Sequence, residues 1–392
     1  MRAGSRSFAC LAGSVAAVVA ALAFVAAASA APPPLSSNAT VFATGLDNPR
    51  GLTFGPDGYL YVAEGGRGGS AHTTPAECEQ VPAPVGPYSG GYTARISKIA
   101  SDGTRTTVVG GLPSSQTSPD LGGLVSGIAD VKFVGGTLYA LTAGAGCSHG
   151  LAGTVNALLR VNPDGTTTQV ADLSAFLKSH PVAHPEEDDF EPDGTWYSMV
   201  RAGSDLVAVE PNHGEVDRIS TVTGAVTRVV DVSATQGHIV PTAIARFNVF
   251  EDILGRAFVP WDLPGLDAFG SIYVLGNLGT FPVVPGSQEL LALTRGNLRV
   301  AATGFTTVLG LAFHGPWLYV LESMTAPGFP GPDELGTGRV VRVGIFGGEQ
   351  VVATGLSFPT GMAFGPDGAL YVSNLGFGAP PGGGQIVRIT AP

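Results

Sequence analysis

The stretch Tyr59-Leu-Tyr-Val-Ala-Glu64 recurs as TLYALT at 137–142, DLVAVE at 205–210, SIYVLG at 271–276, WLYVLE at 317–322 and ALYVSN at 369–374. Each copy is short, mostly apolar and rich in β-branched or aromatic residues, as a strand buried on both faces must be. Six copies at intervals of 46 to 78 residues are a long-period repeat, and that repeat has to be read before any local motif. A second strand type precedes most copies: RGLTF at 50–54, SGIADVKF at 126–133, TAIARF at 242–247, LGLAF at 309–313 and TGMAF at 360–364. The links between the two types are tight turns such as GPDG at 55–58 and 365–368, where Pro presets φ and Gly accepts the positive φ that closes the hairpin. Third and fourth strands follow, for example ARISKI and TRTTVV around Asp102-Gly103, and ALLRV and TTTQVA around Asp164-Gly165.

Four antiparallel strands in six units predict an all-β, six-bladed β-propeller over residues 39–392. The chain ends support this independently. The last unit has three strands and stops, whereas ATVFATGL at 39–46 is an orphan resembling the fourth strands VVATGL (351–356) and VAATGF (300–305). A ring in which the N-terminal strand completes the last blade removes both deficits and one exposed edge. The competing fold is a pair of β-sandwiches split near residue 185, whose strands would alternate apolar and polar.

Composition agrees. Gly (57) and Pro (30) are abundant, yet 44% of the chain is hydrophobic, which makes it turn-rich rather than disordered. Only 13% is charged, the net charge is −11 and no basic run occurs, so nucleic acid is excluded as a partner class. Arg2 and Arg6, an apolar stretch at 8–28 and Ala28-Ser29-Ala30 read as a signal peptide (1–30) cleaved between Ala30 and Ala31, followed by a Pro-rich linker at 31–38. The alternative is an uncleaved membrane anchor. The expected product is a secreted monomer with no membrane attachment after cleavage. Of the three cysteines Cys10 goes with the signal, and Cys78 and Cys147 follow second strands of adjacent blades, where an oxidising compartment would join them as a disulfide.

Function is expected on the face of the second-to-third and fourth-to-first connections, which are long (65–93, 111–125, 143–156, 173–196, 277–288, 323–338), while the other turns are expected to be uniformly tight. Six of the seven histidines fall on the long-loop side: His72, His149, His180, His184, His213 and His238. Second strands end in Glu64, Glu210, Glu322 or Asn374. Such a ring of oxygens either holds Ca²⁺, together with Asn212, or caps backbone N–H groups of the loops. The acidic run at 186–193 reads as a solvated loop, and the prolines around His180 and His184 break the helix a zinc pair would need. The third unit departs from the pattern and is read as starting its first strand at 195–199. That reading places Trp196, Tyr197, Glu210, Asn212 and His213 near the channel mouth as a small-molecule pocket, with Arg50 as a further ligand-binding candidate. Strong catalytic signatures (G-x-S-x-G, P-loop, HExxH, CxxC) are absent.

The segments ATGLDNPRGLTFGPDGYLYVAEGG, FPTGMAFGPDGALYVSN, TGFTTVLGLAF and DFEPDGTWYSM…VEPNHGEVDRI resemble the ScyD/ScyE family of exported bacterial propellers across residues 39–392, with a broader likeness to NHL-repeat and SMP-30/gluconolactonase rings. The resemblance implies an exported propeller without assigned chemistry. Two functions follow as expectations: a scaffold binding a small molecule or an extracellular protein through its long-loop face, or a calcium-dependent lactonase- or esterase-like hydrolase. The same ring can also host a quinone-dependent sugar dehydrogenase.

Overall fold

The computed structural model describes residues 31–185, 190–248, 271–344 and 347–392. The signal-peptide reading, Ala30 and residues 186–189 of the acidic run lie outside the described residues; Ala31 is exposed.

Six antiparallel sheets follow one another along the chain. Blade 1 holds Pro49–Phe54, Leu60–Glu64, Ser89–Ile99 and Arg105–Gln116, with Val125–Ser126 added at its outer edge. Blade 2 holds Ile128–Val134, Thr137–Thr142, Ala157–Val161 and Thr167–Asp172; blade 3 holds Ser198–Ala202, Asp205–Glu210, Glu215–Ser220 and Val226–Asp231. Blade 4 holds Pro241–Asn248, Ser271–Asn277, Gln288–Thr294 and Asn297–Phe305; blade 5 holds Val308–His314, Trp317–Glu322, Gly338–Gly344 and Glu349–Leu356. Blade 6 holds Gly361–Phe364, Leu370–Asn374 and Gly384–Ile389, and its fourth strand is Ala39–Leu46 from the start of the ring.

The N-terminal strand closes the last blade as expected, with Val41 opposite Val387 and Ala43 opposite Ile386. Every first strand touches the first strands of both neighbouring blades, so the six surround a central channel. The residues before the closing strand also pack on the ring: Ser36 N–H donates to Thr354 O (3.1 Å), and the Asn38 amide reaches Val352 O (3.0 Å). Between blades, buried apolar faces form the core. One cluster joins Leu141 and Leu158 of blade 2 to Leu206, Ala208 and Ile219 of blade 3.

The GPDG turns are held by their aspartates. Asp57 accepts from Tyr61 Oη (2.9 Å) and Asp367 from Tyr371 Oη (3.0 Å), which explains why GPDG precedes the LYV strand in both blades. Two expectations need correction. The first strand of blade 3 runs Ser198–Ala202, not 195–199, because Thr195 N–H is drawn to Glu210 Oε1 (2.7 Å) and Trp196 into the core. The first-to-second connections are not all tight: in blade 4, residues 249–270 separate the paired strands, and they lie outside the described residues.

Candidate functional site in the central channel

Four of the sequence candidates have a shared structural task. The ends of the second strands lie beside the segment that enters the same blade's first strand, so a side-chain oxygen there meets an otherwise orphaned backbone N–H. Glu64 accepts from Asp47 N (2.6 Å), Glu210 from Thr195 N (2.7 Å), Glu322 from Thr306 N (2.7 Å) and Asn374 from Ser357 N (2.8 Å). Across the ladder, Arg95 forks onto Glu64 through Nε (2.8 Å) and Nη2 (2.7 Å), and Arg339 Nε reaches Glu322 (2.5 Å). These oxygens sit in four blades, each engaged by an N–H group and two of them also by a guanidinium. Among the described residues no three His, Cys, Asp or Glu side chains gather as metal ligands.

Blade 3 departs from this scheme. The third-strand residue opposite Glu64 is Arg95, opposite Glu322 Arg339 and opposite Asn374 Gln385, but opposite Glu210 it is Glu215. Glu215 is paired with Arg228, and two residues on is Asp217; Glu210, Glu215 and Asp217 are all fully buried. Among the described residues, no donor reaches either oxygen of Asp217 or Oε1 of Glu215. Burial and the neighbouring carboxylate push Asp217 well above the usual carboxylate range, and burial raises Glu215.

Trp196, read from sequence as a pocket wall, is instead fully buried between blades 2 and 3 with Leu141, Leu173 and Leu177. Asn212 is buried in the turn after Glu210. His213 lines a second cavity of about 300 Å³ away from the channel, with Cys78, Lys178, Phe190 and Asp193. The sequence-expected disulfide is present: Cys78 and Cys147 are bonded, with Cα atoms 6.2 Å apart.

Beneath that cavity the long loops of blades 1–3 meet in a buried polar network. Glu191 accepts from Tyr88 Oη (2.6 Å) and from Thr195 Oγ1, and its carboxylate lies 3.4 Å from His149 Nε2. His149 bonds Ser115 Oγ through Nδ1 (2.8 Å) and Gly194 O through Nε2 (3.1 Å). The carbonyl only accepts, so Nε2 carries the proton and Ser115 donates to Nδ1. His213 Nε2 donates to Glu191 O (2.9 Å), and Asp193 takes Ser148 N–H and Oγ (both 2.8 Å) and Lys178 Nζ (2.5 Å). Burial raises the Glu191 carboxyl to about 7 and lowers the His149 imidazole to about 4, so His149 is neutral near neutrality and Glu191 takes up its proton as pH falls through 7.

The segment that follows this network carries Tyr197 into the channel. A cavity of about 210 Å³ is lined by the first strands of all six blades. Tyr197 crosses its mouth: its hydroxyl, on blade 3, donates to Thr360 O on the opposite blade 6 (3.3 Å) and also meets the Arg50 guanidinium of blade 1. Arg50 Nη2 donates to Val125 O (2.5 Å), and no carboxylate among the described residues pairs with it. Below lies Asp130, nearly fully buried, which accepts from Lys132 Nζ (2.6 Å), Val131 N (2.8 Å) and Met199 N (2.9 Å). Burial raises its carboxyl against the opposing effect of Lys132.

Sequence reasoning missed Asp130 and Lys132, although a signal existed. Aligned on their ladder partners, the place of Asp130 is Gly51 in blade 1, Gly310 in blade 5 and Gly361 in blade 6. Gly51 is required by this aspartate, since a Cβ there would stand 2.0 Å from Asp130 Oδ1. The opposite half of the cavity is lined by the apolar side chains Ala243, Ile244, Leu309, Leu311 and Met362, with Thr360 as a polar neighbour whose hydroxyl donates to Pro49 O (2.6 Å). A handful of convergent polar groups facing an apolar wall is what a small-molecule site requires.

No family model matches the chain, and no curated protein matches it in sequence. Solved structures do match in fold. A PQQ-bound aldose sugar dehydrogenase from Streptomyces coelicolor aligns at 13% identity with a TM-score of 0.50, over 91% of this chain and 99% of that one. A luciferin-regenerating enzyme aligns at 10% identity with a TM-score of 0.50, over 89% and 92%. A gluconolactonase from Xanthomonas campestris aligns at 10% identity with a TM-score of 0.48, over 90% and 89%. At these identities the likeness is one of fold.

Proposed function

We propose that this protein is an exported propeller of the ScyD/ScyE kind that binds a small molecule in its central channel, at the end carrying the long loops. One observation carries the reading. Among the described residues, Asp130, Lys132 and Tyr197 of blades 2 and 3, with Arg50 of blade 1 against the Tyr197 hydroxyl, put the charged and phenolic groups on one side of the cavity, whereas blades 4–6 line it with apolar side chains apart from Thr360, whose hydroxyl is spent on Pro49 O. Structural roles recur from blade to blade, as the strand-end carboxylates do; a ligand site is where the repetition stops. The disulfide supports an oxidising destination, in keeping with the sequence-read signal peptide.

The competing reading is a calcium-dependent lactonase- or esterase-like hydrolase. Against it, Glu64, Glu210, Glu322 and Asn374 already accept backbone N–H groups of their own blades. Ligand-observed NMR on mature protein, with a panel of sugars, sugar acids, lactones and small aromatic acids, tests both readings. The expected result is saturable binding without turnover, lost in Ala312→Phe, which fills the cavity. Binding indifferent to that substitution would remove the channel site, and lactone hydrolysis dependent on added calcium would establish the enzyme.

A further inference from the structure

We infer that the channel takes a small organic monoanion, with its carboxylate against the blade 1–3 wall and an apolar body against blades 4–6. This rests on the channel being the binding site and specifies what it accepts. The protein as a whole is acidic, with a net charge of −11, yet this region runs the other way. Lys132 and Asp130 neutralise one another, and two of the three ammonium protons are used, on Asp130 (2.6 Å) and Val131 O (3.2 Å). Arg50, against the Tyr197 hydroxyl, adds a positive charge that no described carboxylate balances, unlike Arg95 on Glu64, Arg228 on Glu215 and Arg339 on Glu322. An unbalanced guanidinium beside a half-buried phenol hydroxyl is a ready carboxylate receptor, because charge-assisted bonds strengthen as water is excluded.

The rest of the cavity limits the ligand's body. Ala243, Ile244, Leu309, Leu311 and Met362 offer no side-chain donor or acceptor, so a polyhydroxylated body would lose hydrogen bonds to water without replacement. The volume of about 210 Å³ falls below the usual range for drug-sized ligands of about 300–1,000 Å³. One ring or a short chain suits it. Tyr197 is held at Thr360 O (3.3 Å) and by the Arg50 guanidinium, and an entering carboxylate that takes over the guanidinium releases one of these two ties.

The test is a matched series of benzoate, benzyl alcohol and benzylamine, titrated calorimetrically into mature protein at pH 7. The expected order is benzoate first by tenfold or more and benzylamine last. Arg50→Gln and Lys132→Gln should each weaken benzoate severalfold while leaving benzyl alcohol within twofold, and Ala312→Phe should abolish all binding. Arg50→Gln lies at the mouth and removes no core contact, so it stays informative if Lys132→Gln, which strands Asp130, fails to fold. Benzyl alcohol or benzylamine binding as well as benzoate, but lost in Ala312→Phe, overturns the anion inference and leaves the channel site standing. Binding that survives Ala312→Phe overturns the site itself, and absence of binding by all three probes overturns the inference.

Discussion

Blades 1–3 and blades 4–6 share one repeat but anchor their long loops by opposite means. On blades 1–3 the loops are tied by the Cys78–Cys147 bridge and by buried polar groups, Glu191, His149, Asp193 and Ser148 among them. On blades 4–6 the corresponding loops close over an apolar cluster of Val283, Met324 and Phe358, backed by Leu335 and Phe377, while Phe281 and Phe329 face outward. Hydrogen bonds fix direction as well as position, whereas apolar contacts tolerate sliding. The polar half of the channel thus lies under loops whose orientation is determined, and Tyr197 is reached from Glu191 through only five residues. Loss of the two kinds of anchor should then read out differently with redox state and pH.

The largest effect should come from the bridge. Cys78 and Cys147 are 69 residues apart, and opening that loop costs on the order of 4 kcal/mol in the chain-entropy model. The Cys78→Ser, Cys147→Ser double variant should unfold at markedly lower denaturant than wild type, and reductant should reproduce the shift in wild type only. Met324→Ala on the other half should cost about 2–3 kcal/mol by leaving a cavity, with no response to reductant. Equal midpoints for wild type with and without reductant would mean that the covalent tie contributes nothing.

Next comes pH. Glu191 is raised to about 7, so its contribution to stability is complete below the unfolded value near 4.5 and is lost as pH rises through 7. His149 is lowered to about 4, so its contribution is present above about 6.5 and is lost as pH falls through 4. Between pH 4.5 and 6.5 the two slopes oppose each other, with Tyr88, Glu210, His213 and Asp193 as the other ionisable neighbours. Glu191→Gln removes one slope. Its stability should fall on acidification from pH 6.5 to 4 by on the order of 3 kcal/mol relative to wild type, measured by denaturant titration at several pH values. Parallel curves for the two proteins would break the link between this network and pH, and Met324→Ala should show none.

The ring was legible from sequence because its evidence is local and repeated: LYV strands, GPDG turns and two chain ends with complementary deficits. The disulfide was legible because two second-strand ends in adjacent blades must share a face. The candidate site was only partly legible. Tyr197 lines the channel cavity with Arg50 against its hydroxyl, but Trp196, taken for a pocket wall, is core. An aromatic residue's type does not reveal which side of a loop it takes. The Glu191 network was invisible, since Tyr88 and Glu191 are 103 residues apart and no spacing rule links them. Asp130 was within reach, as the one carboxylate at a place where blades 1, 5 and 6 carry glycine. The insertion at 249–270 was missed because its flanking strands fit the repeat and a tight link was assumed between them.

The smallest expected effect is also the sharpest discriminator, because its sign is unusual. Glu215 stands where blades 1 and 5 place Arg95 and Arg339, and Asp217 faces it with no donor on either oxygen. Two carboxylates in contact can bond only if one holds a proton, and burial raises Asp217 accordingly. The stability held by that raised group is complete below about 4, its unfolded value, and diminishes as pH rises. Asp217→Asn supplies a permanent donor to Glu215 at nearly unchanged shape and so abolishes the proton requirement. It should raise stability by about 1 kcal/mol at pH 7 and by nothing at pH 4, where the native carboxyl is already protonated. Arg95→Gln in blade 1 should do the reverse, destabilising at pH 7 by stranding Glu64. If Asp217→Asn instead destabilises at pH 7 as much as at pH 4, the two blades use their buried carboxylates alike, and blade 3 holds no proton that its sisters lack.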